Sequence, residues 1–274
     1  MAKTLYIFAG SVWAAAAELA VAELGYTDAD IETKSVNLVQ GENFAPAFLK
    51  LNPLGTLPTL EADGKVYTST TAVVGALVKD APTKVAAATA ITETIHEDKY
   101  DPNFAMFAAR NEAERAAKGN GIAGAFLAGR QGALEKYAAD PEGAPFKAFY
   151  EAKLAQNGGG LAISNGTAPE EAKAGFFAMS TAHFAAIKAA LYEILPGVLP
   201  ASGFIGGATP GEDDFHVGAW LTRILLTCGA KSADDALAAL AAAHGAPAPA
   251  SVAAYWGAWT ARPSWTKVYG SGLH

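Results

Sequence analysis

The chain has 274 residues, 51% of them hydrophobic and 17% charged, with a net charge of −7. That length supports one large domain or two modest ones, and the composition excludes a disordered chain. The acidic balance, with no long Lys/Arg cluster, argues against a nucleic-acid partner, and the single Cys228 excludes an internal disulfide framework or a cysteine-based zinc site.

Taken in order, Leu5 to Phe8 reads as a short strand broken by Gly10. Ala14 to Leu24 is helical by composition and stops at Gly25. Leu5 to Ala17 has the length and small-residue end of a signal peptide, but strand followed by helix is the expected reading. Ile31 to Leu38 alternates as a strand does, and Phe44 to Leu51 reads as a short helix. Leu57 to Leu60 and Val66-Tyr67 are extended runs joined by the turn dipeptide Asp63-Gly64. Pro58 cannot donate to a ladder, so it belongs at a strand's start or on an edge. Thr70 or Thr71 is the expected cap of a helix over Ala72 to Val78. The order is β-α-β-α-β-β-α, with a parallel pair expected at the start and an antiparallel hairpin after it.

Asp80 to Lys84 reads as a linker, which divides the chain at 82/83. Beyond it only helices are expected: Val85–His96, Asn103–Lys118, Ala123–Ala139, Ala144–Gln156, Glu170–Leu195, Asp213–Thr227, Ala233–His244 and Ser251–Ala261. Asn157 to Gly160 reads as a flexible break. Before the sixth of these helices, Thr209 with Glu212 forms one possible capping box and Gly211 with Asp214 another. No apolar run reaches the roughly 18 residues of a membrane helix. Gly119 to Gly124 matches G-x-G-x-x-G but follows no strand, so a dinucleotide site is not expected. The five histidines lack ligand spacing, and no metal is expected.

Three pieces together carry a resemblance. Ser11 lies fourteen residues before Gly25 in "AELG", Asn52 to Leu60 reads "NPLGTLPTL", and Gly203 to Ile224 reads "GFIGGATPGEDDFHVGAWLTRI". In combination they resemble the cytosolic glutathione transferase family, in its serine-type, fungal-like form. The resemblance implies an α+β/α protein: a thioredoxin-like βαβαββα glutathione-binding domain over 1–82 and an all-helical substrate-binding domain over 83–274. It also implies a cytoplasmic homodimer with glutathione as co-substrate and no membrane partner. The implied activity is attack of the glutathione thiol on small hydrophobic electrophiles in detoxification, with a peroxidase or ether-cleaving side activity. The alternative is a weakly catalytic or non-catalytic protein that binds glutathione and aromatic ligands on the same scaffold.

The resemblance places the chemistry on particular residues. Ser11 would donate its hydroxyl to the sulfur and favour the thiolate, whose free pKa is near 8.5; the bland role for Ser11 is a helix cap. Tyr6 is the rival hydroxyl. Thr70 would receive the γ-glutamyl carboxylate at a helix start, and Leu57 would offer its backbone beside a cis Leu57-Pro58 bond. Asn43 stands where several classes use a histidine for the glycine end, and Thr56 stands where a lysine is common. The family's acidic residue is Ser69 here. The lost charge-assisted bond would cost about 1.5–3 kcal/mol unless Glu93, Glu97 or Asp98 replaces it. Trp13, Tyr100, Asn103, Phe104 and Phe107 are expected to line the pocket of the second substrate, although aromatics at helical spacing are more often core.

Overall fold

The computed structural model describes residues 3–274. The first part runs β1 (Lys3–Ile7), α1 (Val12–Glu23), β2 (Ile31–Ser35), α2 (Pro46–Leu51), β3 (Thr59–Ala62), β4 (Lys65–Tyr67) and α3 (Thr70–Lys79). Helices follow: α4 (Ala90–Ile95), α5 (Pro102–Phe107), α6 (Glu112–Gly119), α7 (Ile122–Ala139), α8 (Lys147–Ser164), α9 (Glu170–Ala189), α10 (Leu195–Val198), α11 (Glu212–Thr227), α12 (Ala236–His244), α13 (Ala250–Thr260) and α14 (Pro263–Tyr269). This is a thioredoxin-like first part with a mixed sheet, followed by a largely helical remainder.

The sheet order is β2-β1-β3-β4. β1 and β3 run antiparallel with Leu5 opposite Leu60, and β3 and β4 antiparallel with Leu60 opposite Tyr67. Asp63 (φ 52°) and Gly64 (φ 73°) both take the left-handed conformation of a two-residue hairpin turn. The Leu57-Pro58 bond is cis. Pro58 therefore lies just ahead of the strand and is asked for no ladder bond.

The chain divides into two compact units. One holds the residues up to Lys34, Leu57–Asn103 and Ala185–His274; the other holds Ser35–Thr56 and Phe104–Phe184. Each draws on both sides of the 82/83 boundary. In the first unit α1 is the central element. Its alanines at 14 to 17 and Leu19 are buried, and it packs on α3, α11 and α14. Small side chains permit that close approach on several faces at once. In the second unit α7 packs along α8. Its core joins Phe44, Leu49, Leu134 and Tyr150, and the Tyr150 hydroxyl donates to the Phe44 carbonyl at 2.8 Å.

Several elements differ from expectation for local reasons. Ser69, not Thr70 or Thr71, caps α3, its Oγ accepting from the Ala72 amide. The helix expected from Val85 starts only at Ala90, because Ala88 N–H donates to Glu212 and Thr89 N–H to Asp213. Asn111 splits the expected 103–118 helix by capping α6, accepting from Glu114 N–H at 3.0 Å. Gly211 and Asp214 form the cap of α11. The Asp214 carboxylate accepts from the amides of Ile205, Gly206 and Gly211.

The largest correction is at Asn157 to Gly160, which continue α8 instead of breaking it. Three consecutive glycines cost about 1 kcal/mol each relative to alanine in a helix. The buried Asn157 amide offsets part of this by donating to the Leu127 carbonyl and the Gln131 side chain, each at 3.0 Å. α14 was not expected at all. Past α9 the turns widen over Ala190–Ile194 before α10. Against expectation, the 29-residue stretch Glu170–Val198 is long and apolar enough to cross a membrane by length and composition. Alanine raises its average without a continuous bulky run. It serves a packing role as well: Ser180 is buried and accepts from the Ala109 amide at 3.1 Å.

Candidate functional site

Of the residues singled out in the sequence, Ser11, Trp13, Leu57, Pro58, Ser69, Thr70, Tyr100 and Asn103 lie in the first unit. Asn43, Thr56, Phe104 and Phe107 lie in the second.

In the first unit, Gly10 (φ 104°) turns the chain out of β1, and Ser11 begins α1. The partly exposed Ser11 accepts from the Ala14 amide through Oγ at 3.3 Å. A hydroxyl that accepts through a lone pair keeps its own proton for donation. Capping and donation to a bound sulfur are thus compatible at this position. The rival Tyr6 has its hydroxyl committed, donating to Glu61 Oε2 at 2.6 Å. Burial, then that bond, pushes its pKa up to about 12.

Behind the same turn lies a residue that sequence reasoning missed. Arg223 of α11 is buried, and its Nη2 donates to the Gly10 carbonyl at 2.6 Å. Burial lowers its pKa to about 10, offset by Tyr269 and Asp101 nearby, so it stays cationic at neutral pH. Its position inside the 203–224 stretch gave no local signal, since only the fold brings α11 to the β1–α1 turn.

Trp13, in the first turn of α1, stacks on His96 with ring centroids 4.0 Å apart. His96 Nε2 lies 2.9 Å from His216 Nδ1. Burial depresses both imidazoles, to about 4 for His96 and about 3 for His216, where His96 adds a smaller repulsion. Both are neutral near pH 7, so the pair fixes the Trp13 ring without adding charge. Glu18, also on α1, has its pKa raised by burial to about 7, against a lowering by Lys267.

At the start of α3, Ser69 is exposed and Thr70 buried. Next to them Thr71 joins Thr89, Thr92, Glu93 and Glu212 around an open depression of about 430 Å³. Of the acids considered as substitutes at Ser69, Glu93 faces this depression, while Glu97 pairs with Lys99 at 2.8 Å. Tyr100 is buried, its carbonyl accepting from the Trp220 indole N–H at 2.8 Å. Asn103 donates to Asp101 from its backbone and its side chain at the start of α5.

In the second unit two asparagines shape the Asn52–Thr56 turn. Asn52 Oδ1 accepts from Leu54 N–H, and its amide donates to the carbonyl and hydroxyl of Thr56. Asn43 is 2% exposed and donates to the Gly55 carbonyl at 2.7 Å. Gly55 has φ 61° and no room for a side chain, since a Cβ there would lie 3.1 Å from both the Asn43 carbonyl and the Phe149 ring. Phe104 meets the Phe176 and His183 rings edge-on, and Phe107 lies 6.2 Å from the Phe126 ring. Among the described residues no group of three or more His, Cys, Asp or Glu is placed to hold a metal ion.

With this geometry in view, comparison with known proteins is informative. Residues 1–75 match the model of the glutathione S-transferase N-terminal domain. The match is confined to that first part of the chain, while the whole length has the fold of solved glutathione transferases. Among solved structures it is similar to the β-etherase LigF from Sphingobium sp. strain SYK-6, with 17% identity, a TM-score of 0.63, 99% of this chain and 100% of that chain covered. It is also similar to glutathione transferase E6 from Drosophila melanogaster (17% identity, TM-score 0.52, coverage 98% and 91%). Poplar glutathione transferase F1 gives 14% identity, a TM-score of 0.51 and coverage of 98% and 96%. No curated protein sequence matches the chain.

Proposed function

We propose that the protein is a serine-type glutathione transferase that activates the glutathione thiol for attack on small hydrophobic electrophiles. The observation that carries this reading is Ser11, a partly exposed hydroxyl at the N-terminus of α1 whose lone pair caps the helix and whose proton is left to donate. Donation to sulfur favours the charged form, and the helix N-terminus and the nearby Arg223 cation act in the same direction. The thiol proton passes to solvent. The thiolate then forms a bond to the electrophilic carbon, and the leaving group departs with its electron pair. With an aryl ether as electrophile the leaving group is a phenolate, which takes a proton from water. This ether-cleaving side activity draws support from the likeness in fold to a β-etherase.

In this reading residues 1–82 form the glutathione domain and 83–274 the substrate domain of a cytoplasmic homodimer. Leu57 and Pro58 meet the cysteinyl backbone, Thr70 and Ser69 the γ-glutamyl carboxylate, while Asn43, bound to Gly55, and Thr56, bound to Asn52, shape the turn behind the glycine end. Glu93, beside Thr71, supplies the carboxylate that Ser69 lacks for the ammonium. Trp13, Tyr100 and Asn103 of the first unit, and Phe104 and Phe107 of the second, are the proposed contacts of the apolar substrate.

The test is Ser11→Ala, assayed for conjugation and for ionisation of bound glutathione by thiolate absorbance. The reading requires turnover to fall at least tenfold and the bound thiol pKa to move back toward 8.5. Unchanged turnover removes Ser11 from the mechanism. Glutathione binding by the wild type without any turnover would select the non-catalytic binding protein instead.

A further inference from the structure

The second unit contains two cations that the glutathione chemistry does not use. Arg130 of α7 lies over the Phe44 ring, 4.8 Å from its centroid, and over the Phe126 ring at 5.4 Å. Lys153 of α8 lies 5.9 Å from the Phe149 ring. The Phe44 and Phe149 rings are themselves 6.1 Å apart. Both cations are half-buried, and burial lowers the pKa of each; Arg130 lowers that of Lys153 further by repulsion. The two positive charges thus share one aromatic-walled place.

No carboxylate neutralises them among the described residues. The acids of the α7–α8 hairpin are engaged elsewhere: Glu135 accepts from Gln131, Asp140 from the Glu142 amide, Glu151 pairs with Lys147 and Glu142 with Lys50. In a chain of net charge −7, leaving two neighbouring, partly desolvated cations without an acid is costly unless an anion from outside completes the site.

We propose that Arg130 and Lys153 form a binding site for an organic carboxylate carrying an apolar or aromatic body. The planar guanidinium fork matches a carboxylate bidentately, and the ammonium adds a point charge beside it. The half-buried Phe126 and Phe149 rings suit the apolar body better than they suit a small hydrated anion, while the buried Phe44 ring backs the guanidinium. The carboxylate has two possible sources, the glycyl end of glutathione or an aromatic acid, and the site itself does not depend on the glutathione reading.

The experiment is calorimetric titration of the full chain and of its Arg130→Met and Lys153→Met variants with naphthoate, naphthamide, glutathione and the glycyl monoethyl ester of glutathione. Either variant is expected to weaken at least one carboxylate by about tenfold, leaving its neutral counterpart unchanged. Loss for naphthoate but not naphthamide identifies an aromatic acid. Loss for glutathione but not its ester identifies the glycyl carboxylate. Naphthoate binding that depends on Arg130, in a protein that does not bind glutathione, upholds this site and removes the proposed transferase function. Equal affinities in wild type and variants overturn the proposal, as does displacement by inorganic phosphate with no carboxylate binding. Should Arg130→Met lose its helical circular dichroism, the half-exposed Lys153→Met decides alone.

Discussion

The Arg223 guanidinium donates to the carbonyl of Gly10, the residue immediately before Ser11, at 2.6 Å. A helix far along the chain thus holds the turn that presents the hydroxyl. Arg223→Met removes a buried, charge-assisted hydrogen bond. Stability should fall by about 2 kcal/mol, read as a lower urea midpoint at unchanged slope. An unaltered midpoint would mean that the turn holds without it.

In the proposed mechanism Ser11 carries two separable roles, of which the helix cap is the one seen. Ser11→Ala removes cap and donor together and should cost about 1 kcal/mol of stability. Ser11→Asp restores the cap acceptor but, ionised, offers no proton to sulfur. The aspartate variant should therefore regain thermal stability while conjugation stays at the level of the alanine variant. Recovery of turnover along with stability would show that capping alone suffices.

Glu18 makes stability depend on pH. Its folded pKa of about 7 lies above the ordinary value of 4.5, with burial as the main cause. The folded state therefore holds a proton that the unfolded state releases. This contribution is fully present below about pH 4.5 and is lost as pH rises through about 7. Glu18→Gln should match wild type at pH 4 and exceed it at pH 8 by up to about 3 kcal/mol, measured by urea unfolding at both pH values. The buried histidines act oppositely, since depressed folded values favour the fold above 6.5 and lose that advantage toward about 4 and 3. The wild-type minus variant difference isolates Glu18.

Gly159 lies inside α8, where an added Cβ would meet nothing within 4 Å. Gly159→Ala should raise stability by about 0.5–1 kcal/mol, seen as a higher melting temperature. A lower one would show that α8 needs close approach at that face.

What the sequence revealed was mostly local. Asp63-Gly64, the Pro58 position and the Ser11-to-Gly25 spacing express turn, proline and cap chemistry, which act within a few residues, and the fold keeps them. What it hid depends on distant partners. Asn157-Gly-Gly-Gly reads as a break because the Leu127 and Gln131 partners of Asn157 lie on another helix. α14 contains Trp265, Thr266, Val268 and Tyr269, types of modest helix propensity. It forms beside α1, where Arg262 binds Glu23 through Nε and Nη2 at 2.5 and 2.6 Å and Ser264 also donates to Glu23. Around the β1–α1 turn, the helix cap at Ser11 was legible locally, while Arg223 and the His96–His216 pair were not, since no periodicity links residues more than a hundred positions apart.

Asp213 has a consequence for the history of the chain. Its carboxylate accepts from the Thr89 backbone, the Thr89 hydroxyl and the Thr92 hydroxyl, across separations of 124 and 121 residues. The whole Phe104–Phe184 segment of the second unit lies between these partners. The first unit is thus stitched shut around an interruption, and closing a longer loop adds only about 0.6 kcal/mol for each doubling of its length. The interrupting segment is free to gain or lose residues over evolution at little cost to that stitch, so it can diverge while the unit carrying Ser11 stays closed.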